Sequence, residues 1–225
     1  MKWLIGVGVA VVLLVAADRA AAAAAEAALA AEIRTSAGAQ WASADIAGFP
    51  FLAQALRGRY REVAVTARGV ASGPTRVESL QVRLEDVRVP LSEALSGSVR
   101  AVPVSGVRGS AVLDYASLSR KGVAVSGRDG LLRVSGTISV LGQRLPASVV
   151  SKVRLEGGQV VAVPVRYEVS GRPAAPGVVA FVREQLAFRR QLPELPFGLR
   201  VTGVSVAAEG VAVQVRAEAT VLRPR

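Results

Sequence analysis

Cysteine and histidine are both absent from this 225-residue chain, and aromatic residues make up only 4% of it. Without cysteine there is no disulfide and no thiolate metal site, and without histidine the most common general base and metal ligand is missing. Hydrophobic residues nevertheless make up 51% of the chain, so valine, leucine and alanine must build its core. The shortage of aromatics also argues against nucleic acid as a partner, because single-strand binders usually place exposed aromatics between their arginines.

The chain is strongly basic, with a formal net charge of +11 and a pI of about 11.3. Such a balance indicates an anionic partner: nucleic acid, an anionic membrane surface or an acidic ligand. Nearly all of the positive charge is arginine, which a GC-rich genome explains as well as a selected function does.

No motif for catalysis occurs in the sequence: there is no nucleophile elbow, phosphate-binding loop or zinc motif. Ser119 lies near Lys121, but a solvated turn accounts for this pair better than a Ser-Lys dyad does. The sequence therefore predicts a non-enzymatic protein with no catalytic residue, no metal and no cofactor.

The N-terminus has the features of an export signal. Lys2 precedes an uncharged apolar run over residues 4–15, which has signal-peptide length and is short for a full membrane span. Small residues at Val15 and Ala17 suit cleavage before Asp18. The alternative is an uncleaved anchor, because the alanine-rich continuation lengthens the apolar segment.

Two segments are therefore predicted: a signal peptide or N-terminal membrane anchor over residues 1–17, and a single domain over residues 18–225. A lysine on the inner side sends the rest of the chain across the membrane. The expected location is the cell envelope or periplasmic space, either soluble after cleavage or anchored by the N-terminal segment.

The pattern beyond the N-terminus changes from helix to strand. Alanine-rich residues 20–40 predict a long helix. Pro50 and Gly58 then bracket a short helix, Phe51–Arg57. From Tyr60 onward, apolar residues recur with a period of two, which is typical of half-buried strands.

Further along, a change of parity near Asp86 predicts a β-bulge, and hairpin turns are expected at residues 157–158 and 209–210. Asp114 is a plausible N-cap for a short helix, and another helix is expected near Val182. The predicted fold class is α+β: a long, highly curved antiparallel sheet wrapped around a long N-terminal helix, with one or two further helices.

At GFPFLAQALRGRYREVAV, residues 48–65, the sequence resembles the LmeA-like phospholipid-binding proteins of actinobacterial cell envelopes. Similar features recur in DYASL at residues 114–118 and in LPELPFGLRVTGVSVAAEGVAVQV at residues 192–215. The resemblance covers nearly the whole chain beyond the N-terminal segment. It implies a fold like that of the tubular lipid-binding proteins, phospholipid binding, and a role in envelope lipid or lipoglycan metabolism.

An apolar groove for acyl chains is the predicted binding site. Its candidate lining residues are Phe49, Phe51, Leu52, Leu56, Phe181, Val182, Leu186 and Phe188. Three arginines are candidates for contact with a lipid headgroup or a membrane surface: Arg57, Arg59 and Arg61. They share one side if the strand begins early, because alternate strand residues face the same way. The alternative is that the phenylalanines are ordinary core and the arginines a solvated rim.

These observations lead to two hypotheses. The first is an exported, non-enzymatic phospholipid-binding protein whose partners are phospholipid and an anionic membrane surface, with no nucleic acid. The second is a membrane-anchored envelope structural or interaction protein without a ligand cavity.

Overall fold

A computed structural model describes residues 2–72, 75–140, 142–156, 159–186, 189–191 and 198–223. The α+β expectation is confirmed. The helices in the described residues are α1 Lys2–Ser36, α2 Phe51–Arg57, α3 Leu91–Ser96, α4 Tyr115–Leu118 and α5 Pro176–Leu186. The strands are β1 Trp41–Ala47, β2 Arg59–Ser72, β3 Thr75–Arg88, β4 Val102–Val104, β5 Gly106–Asp114, β6 Val123–Arg128, β7 Leu131–Val140, β8 Gln143–Glu156, β9 Gln159–Val169, β10 Arg172–Pro173, β11 Arg189–Gln191, β12 Arg200–Val206, β13 Gly210–Ala217 and β14 Thr220–Leu222.

The strands form two large sheets and a small one. The first sheet has the order β1-β2-β3-β5-β13-β12, and the second has the order β10-β9-β8-β7-β6, with β11 also paired to β9. Strands β4 and β14 form a two-stranded ribbon. The chain divides into two compact units, one of residues 1–68, 81–109 and 216–225 and the other of residues 69–80 and 110–215.

Helix α1 begins much earlier than the sequence pattern predicted. It runs from Lys2, because the apolar residues ahead of the alanine-rich segment include no proline to interrupt it. Within the described part of the chain, no helix is both long enough and apolar enough to span a membrane.

One face of α1 packs against the edge strand β1. Asp18, Ala22 and Ala30 are buried at multiples of four residues, the spacing that aligns side chains along one side of a helix. Glu26 belongs to the same row, and its Oε1 accepts a hydrogen bond from the backbone N–H of Ile46 in β1 at 3.0 Å. An edge strand has unpaired backbone groups, so Glu26 satisfies one of them.

Helix α2 has the predicted bounds, and local chemistry explains its end. Gly58 follows it with φ of +62°, the left-handed conformation that commonly terminates helices. A Cβ at Gly58 would lie 2.9 Å from the carbonyl oxygen of Val89, so the position needs glycine for space as well as for conformation. The carbonyl of Gly58 in turn accepts the N–H of Val89 at 2.9 Å, which holds the start of β2 beside the end of β3.

The predicted break in strand alternation is found at Asp86. This residue has φ of +49° within β3, a conformation that is uncommon for residues other than glycine and that asparagine and aspartate tolerate best. Val87, which follows, is buried. The change of parity in the sequence therefore marks a real departure from regular strand geometry.

The second unit has a valine-rich core that packs against the second sheet. Its fully buried side chains include Leu132, Ile138 and Val182. Strands β8 and β9 pair antiparallel with Glu156 opposite Gln159, as the predicted hairpin requires. The turn at residues 157–158 lies outside the described residues. The predicted Asp114 cap is confirmed, because its Oδ1 accepts the N–H of Ala116 at 3.1 Å.

Candidate functional site

The motif that carries the resemblance lies in the first unit, where Asp18 of α1 holds the N-terminus of α2. Its Oδ2 accepts the N–H of Phe51 at 3.0 Å, and its Oδ1 accepts the N–H of Leu52 at 2.8 Å. Pro50, the residue at the N-cap position, makes no side-chain capping bond. The cap that α2 lacks locally is thus supplied by α1, and it satisfies two of the backbone donors that a helix start leaves unpaired.

Burial and hydrogen bonding act on the pKa of Asp18 in opposite directions. Its side chain is buried, with only 3% of the residue exposed, and burial raises the pKa of a carboxyl. Hydrogen bonds from Leu52, Arg19 and Phe51 outweigh burial and lower the pKa of Asp18 below its ordinary value. The Arg19 guanidinium lies 2.7 Å from Asp18 Oδ2 and 5.4 Å from the centre of the Phe49 ring, so it joins α1 to the residues before α2.

The four apolar candidates around α2 do not share one environment. Phe51 is buried beside Tyr60, with their ring centres 6.2 Å apart. Leu52 and Leu56 are 41% and 76% exposed, and Phe49 is 62% exposed. Phe51 packs inside the unit, and the other three face outward, so only Phe51 has the environment of a core residue. Whether Phe49, Leu52 and Leu56 line a lipid groove stays a prediction.

Helical geometry explains this division. Phe51 and Ala55 are four residues apart and both buried, so they form the inward row of α2. Leu52 and Leu56 form the neighbouring row, which faces outward, and a short amphipathic helix normally has polar residues in such a row. Two exposed leucines in that row make α2 apolar on both sides.

A surface depression of about 470 Å³ lies at the end of α2, between it and the end of β3. Its lining combines three arginines with apolar residues and one glycine, and consists of Leu56, Arg57, Gly58, Arg59, Arg88, Pro90 and Leu91. It therefore offers guanidinium groups beside exposed hydrocarbon.

Two of these arginines are already paired. Arg59 binds Asp86 through Nε at 2.5 Å and Nη2 at 3.1 Å, and Arg88 binds the same carboxylate at 2.9 Å. The hydrogen bond from Arg59, followed by that from Arg88, holds the pKa of Asp86 below its ordinary value. Arg57 makes no ion pair with any described residue, so its charge is available to a ligand.

Of the three arginine candidates, Arg57 departs from the alignment that an early strand would give, whereas Arg59 and Arg61 keep it. Arg57 is the last residue of α2, so the strand does not begin early enough to align all three arginines. Arg59 and Arg61 are both exposed in β2, on either side of the buried Tyr60. The backbone N–H of Arg61 donates to Gln54 Oε1 at 2.9 Å, and its side chain extends into solvent.

The depression and its motif lie within a longer stretch of sequence similarity. The sequence model of the LmeA-like phospholipid-binding family matches residues 16–216. The chain belongs to the LmeA-like phospholipid-binding family. No curated protein and no solved structure matches it.

The remaining groove candidates lie in the second unit of this LmeA-like protein. Val182 is fully buried in the core, with Leu132 and Ile138. The side chains of Phe181 and Leu186, and the whole of Phe188, lie outside the described residues. A groove shared between these residues and α2 stays a prediction.

Ser119 is used structurally in this LmeA-like chain. Its hydroxyl donates to the carbonyl of Tyr115 at 2.9 Å and accepts the N–H of Val125 at 2.9 Å. These bonds join the end of α4 to β6, which agrees with a turn. In the described part of the chain, no three acidic, cysteine or histidine residues are grouped to hold a metal ion.

Sequence reasoning missed Asp18, Asp86 and Arg88 as parts of this site. Asp18 is the first acidic residue of the chain and, with Arg19, interrupts a long apolar and alanine-rich stretch, but the sequence pattern there indicates only a cleavage position. Asp86 was noted for its parity change, but nothing local indicates that it binds Arg59. Both partnerships join residues more than 25 positions apart in sequence.

Proposed function

We propose that this LmeA-like chain is an exported, non-enzymatic phospholipid-binding protein that acts in cell-envelope lipid or lipoglycan metabolism. The observation that carries the proposal is the juxtaposition of Arg57, which has no ion-pair partner among the described residues, with the exposed Leu56 at the depression. A phospholipid has the complementary chemistry, since its phosphate attracts a guanidinium and its acyl chains gain by leaving water.

In this proposal the depression receives the phosphate of the headgroup, and the acyl chains occupy an apolar groove. Arg57 contributes the available charge, whereas Arg59 and Arg88 are oriented by Asp86. An arginine fork binds phosphate through parallel hydrogen bonds, which favours a headgroup over an uncharged lipid such as a diacylglycerol.

Native mass spectrometry of protein purified gently from its own host tests ligand binding. We expect bound masses that match phospholipids, with the amount reduced in Arg57→Gln. Arg68→Gln is the matched control, because Arg68 is also exposed and rests on the Trp41 ring away from the depression. Protein that carries no lipid, under conditions that preserve other lipid complexes, contradicts the proposal and favours the envelope structural or interaction protein.

A fusion of a reporter after Arg225 tests export. The proposal rests on Lys2 followed by the apolar residues 4–15, so the reporter should be active only outside the cytoplasm. Substituting Leu13 and Leu14 with arginine should abolish that activity, and a reporter active in the cytoplasm with the unaltered sequence contradicts export.

A further inference from the structure

Exposed apolar residues of α1 and α2 lie next to each other in the first unit. Residues 11–15 of α1 are all exposed valines and leucines. The last of them is three residues before Asp18, about 4.5 Å along a helix, and Asp18 binds the first turn of α2 directly. Exposed Phe49 and Leu52 lie beside that contact, and the exposed Leu56 follows one turn further along α2.

We propose that these residues form one docking surface for an anionic phospholipid bilayer, with Asp18 holding its two parts together. The docking surface is defined as residues 11–15 with Phe49, Leu52 and Leu56, and it belongs to the uncleaved form of the chain, which retains residues 1–17. The proposal rests on the proposed function in taking a phospholipid as partner, and it shares Leu56 and Arg57 with the depression. It adds the exposed residues of α1, Phe49 and Leu52, and it concerns contact with a bilayer, not the holding of a single lipid.

The charges around the docking surface select an anionic bilayer as its occupant. Arg19 stacks over Phe49, Arg57 ends α2, and Arg61 is exposed on β2 just beyond it. Arg19 and Asp18 form an ion pair and together carry no net charge, so the free positive charge comes from Arg57 and Arg61, which make no ion pair with a described residue. Exposed hydrocarbon rimmed by arginine matches a membrane interface, where apolar side chains enter the acyl region and cations meet lipid phosphates.

Asp18 is a positioning residue in this proposal. It contacts no lipid, but its bonds to Phe51 and Leu52 set where α2 lies relative to the apolar end of α1. Without the carboxylate, the two backbone donors lose their partner and the two apolar parts need not face one membrane together.

The absence of cysteine makes the test direct, because a single introduced cysteine is the only labelled site. Full-length chains carrying Leu13→Cys, Leu52→Cys, Leu56→Cys or Trp41→Cys are labelled with an environment-sensitive fluorophore. They are mixed with phosphatidylcholine vesicles containing phosphatidylglycerol and acyl chains brominated near the interface. Trp41 is the matched control, since it is 46% exposed and lies at the far end of β1, about 20 Å along the strand from Ala47, the end nearer Phe49.

We expect bromine to quench the labels at positions 13, 52 and 56, and to leave the label at position 41 bright. Quenching at 52 and 56 should be lost in vesicles of phosphatidylcholine alone at physiological salt. The proposal is overturned if the label at position 13 is quenched while the labels at 52 and 56 stay in water. It is also overturned if the label at position 41 is quenched equally, or if quenching is the same in vesicles with and without phosphatidylglycerol.

Adding Asp18→Ala to each labelled chain tests the positioning role. Quenching at 13 should persist, whereas quenching at 56 should fall, and Arg19→Gln should have a smaller effect because both backbone bonds to Asp18 remain. Circular dichroism identifies any Asp18 or Arg19 variant that fails to fold. In that case the labelled chains that keep Asp18 and Arg19 still test the docking surface. Quenched labels on protein that carries no lipid in mass spectrometry would refute ligand binding alone, and lipid-loaded protein with unquenched labels would refute the docking surface alone.

Discussion

Arg59 and Asp86 form a two-point ion pair between β2 and β3, through Nε at 2.5 Å and Nη2 at 3.1 Å. Asp86 adopts a positive φ at this point, and it also binds Arg88. One carboxylate therefore forms ion pairs with two of the three arginines at the depression, and the charge of Arg57 is available to a ligand. This division of roles among similar side chains leads to the first prediction.

Arg57→Gln should weaken binding to phosphatidylglycerol-containing vesicles by about fivefold, the effect expected for one arginine at an anionic surface. Arg59→Gln should weaken it less, because that guanidinium is committed to Asp86. Vesicle co-sedimentation across a salt series measures both, and Arg57→Gln should also flatten the salt dependence, since the lost attraction is screened within a Debye length. Equal losses of vesicle binding in Arg57→Gln and Arg59→Gln would show that the ion pair with Asp86 does not reduce the contribution of Arg59.

Phe51 and Phe49 should differ in what they contribute. Phe51→Ala removes a buried ring from beside Tyr60 and should lower the free energy of unfolding by about 3 kcal/mol. Phe49→Ala, at an exposed site, should change it by less than about 1 kcal/mol and should instead reduce vesicle binding. Urea unfolding monitored by circular dichroism gives the first quantity and co-sedimentation the second. Similar losses of stability in both variants would place Phe49 in the core.

Protonation of Glu168 should make the second unit less stable in acid. Its Oε2 accepts hydrogen bonds from Arg133 at 2.7 Å and from Ser148 at 3.2 Å, across β7, β8 and β9. The Arg133 bond, above all, holds the pKa of Glu168 below its ordinary 4.5. The carboxyl of Glu168 therefore binds a proton at a higher pH in the unfolded chain than in the folded one. Its contribution to the free energy of unfolding is complete well above pH 4.5, and it is lost as the pH falls through that value toward the lowered pKa.

Glu168→Gln should accordingly cost about 1 kcal/mol at neutral pH, the usual contribution of a charged hydrogen bond after solvent screening at this partly exposed pair. The difference between variant and parent should shrink as the pH drops below the ordinary pKa of the carboxyl. Urea titrations at several pH values measure it, with Glu156→Gln as the exposed control on β8. A difference that stays constant down to acid pH would mean that packing, not charge, is responsible.

Gly127 should tolerate no side chain. A Cβ there would clash with the hydroxyl of Tyr115 and a methyl of Val206, and the Tyr115 hydroxyl donates to the carbonyl of Ala207 at 2.5 Å. Gly127→Ala should therefore cost about 1 to 3 kcal/mol through overpacking and loss of that hydrogen bond. Gly177→Ala in α5 is the matched control, because no atom lies within 4 Å of its Cβ position, and it should be neutral or slightly stabilising. Thermal unfolding compares the two, and equal stabilities would refute the close contact.

Local chemistry made several elements predictable from the order of residues alone. The bounds of α2 follow from Pro50 and Gly58, the Asp114 cap from its position before a short helix, and the departure at Asp86 from a change in strand parity. Each depends on neighbours within a few positions, where backbone sterics and nearby donors act regardless of the rest of the chain. The motif over residues 48–65 likewise indicated the family that the match over residues 16–216 shows.

Long-range packing determined what those elements do. Whether Phe51 or Leu52 faces inward depends on where α1 and β2 lie, and the cap of α2 comes from Asp18, 33 residues before Phe51. Asp86 selects Arg59 across 27 positions, and so leaves Arg57 without an ion-pair partner among the described residues. Such pairings are invisible in a linear pattern, because a carboxylate binds whichever cation or N–H the fold brings within about 3 Å of it.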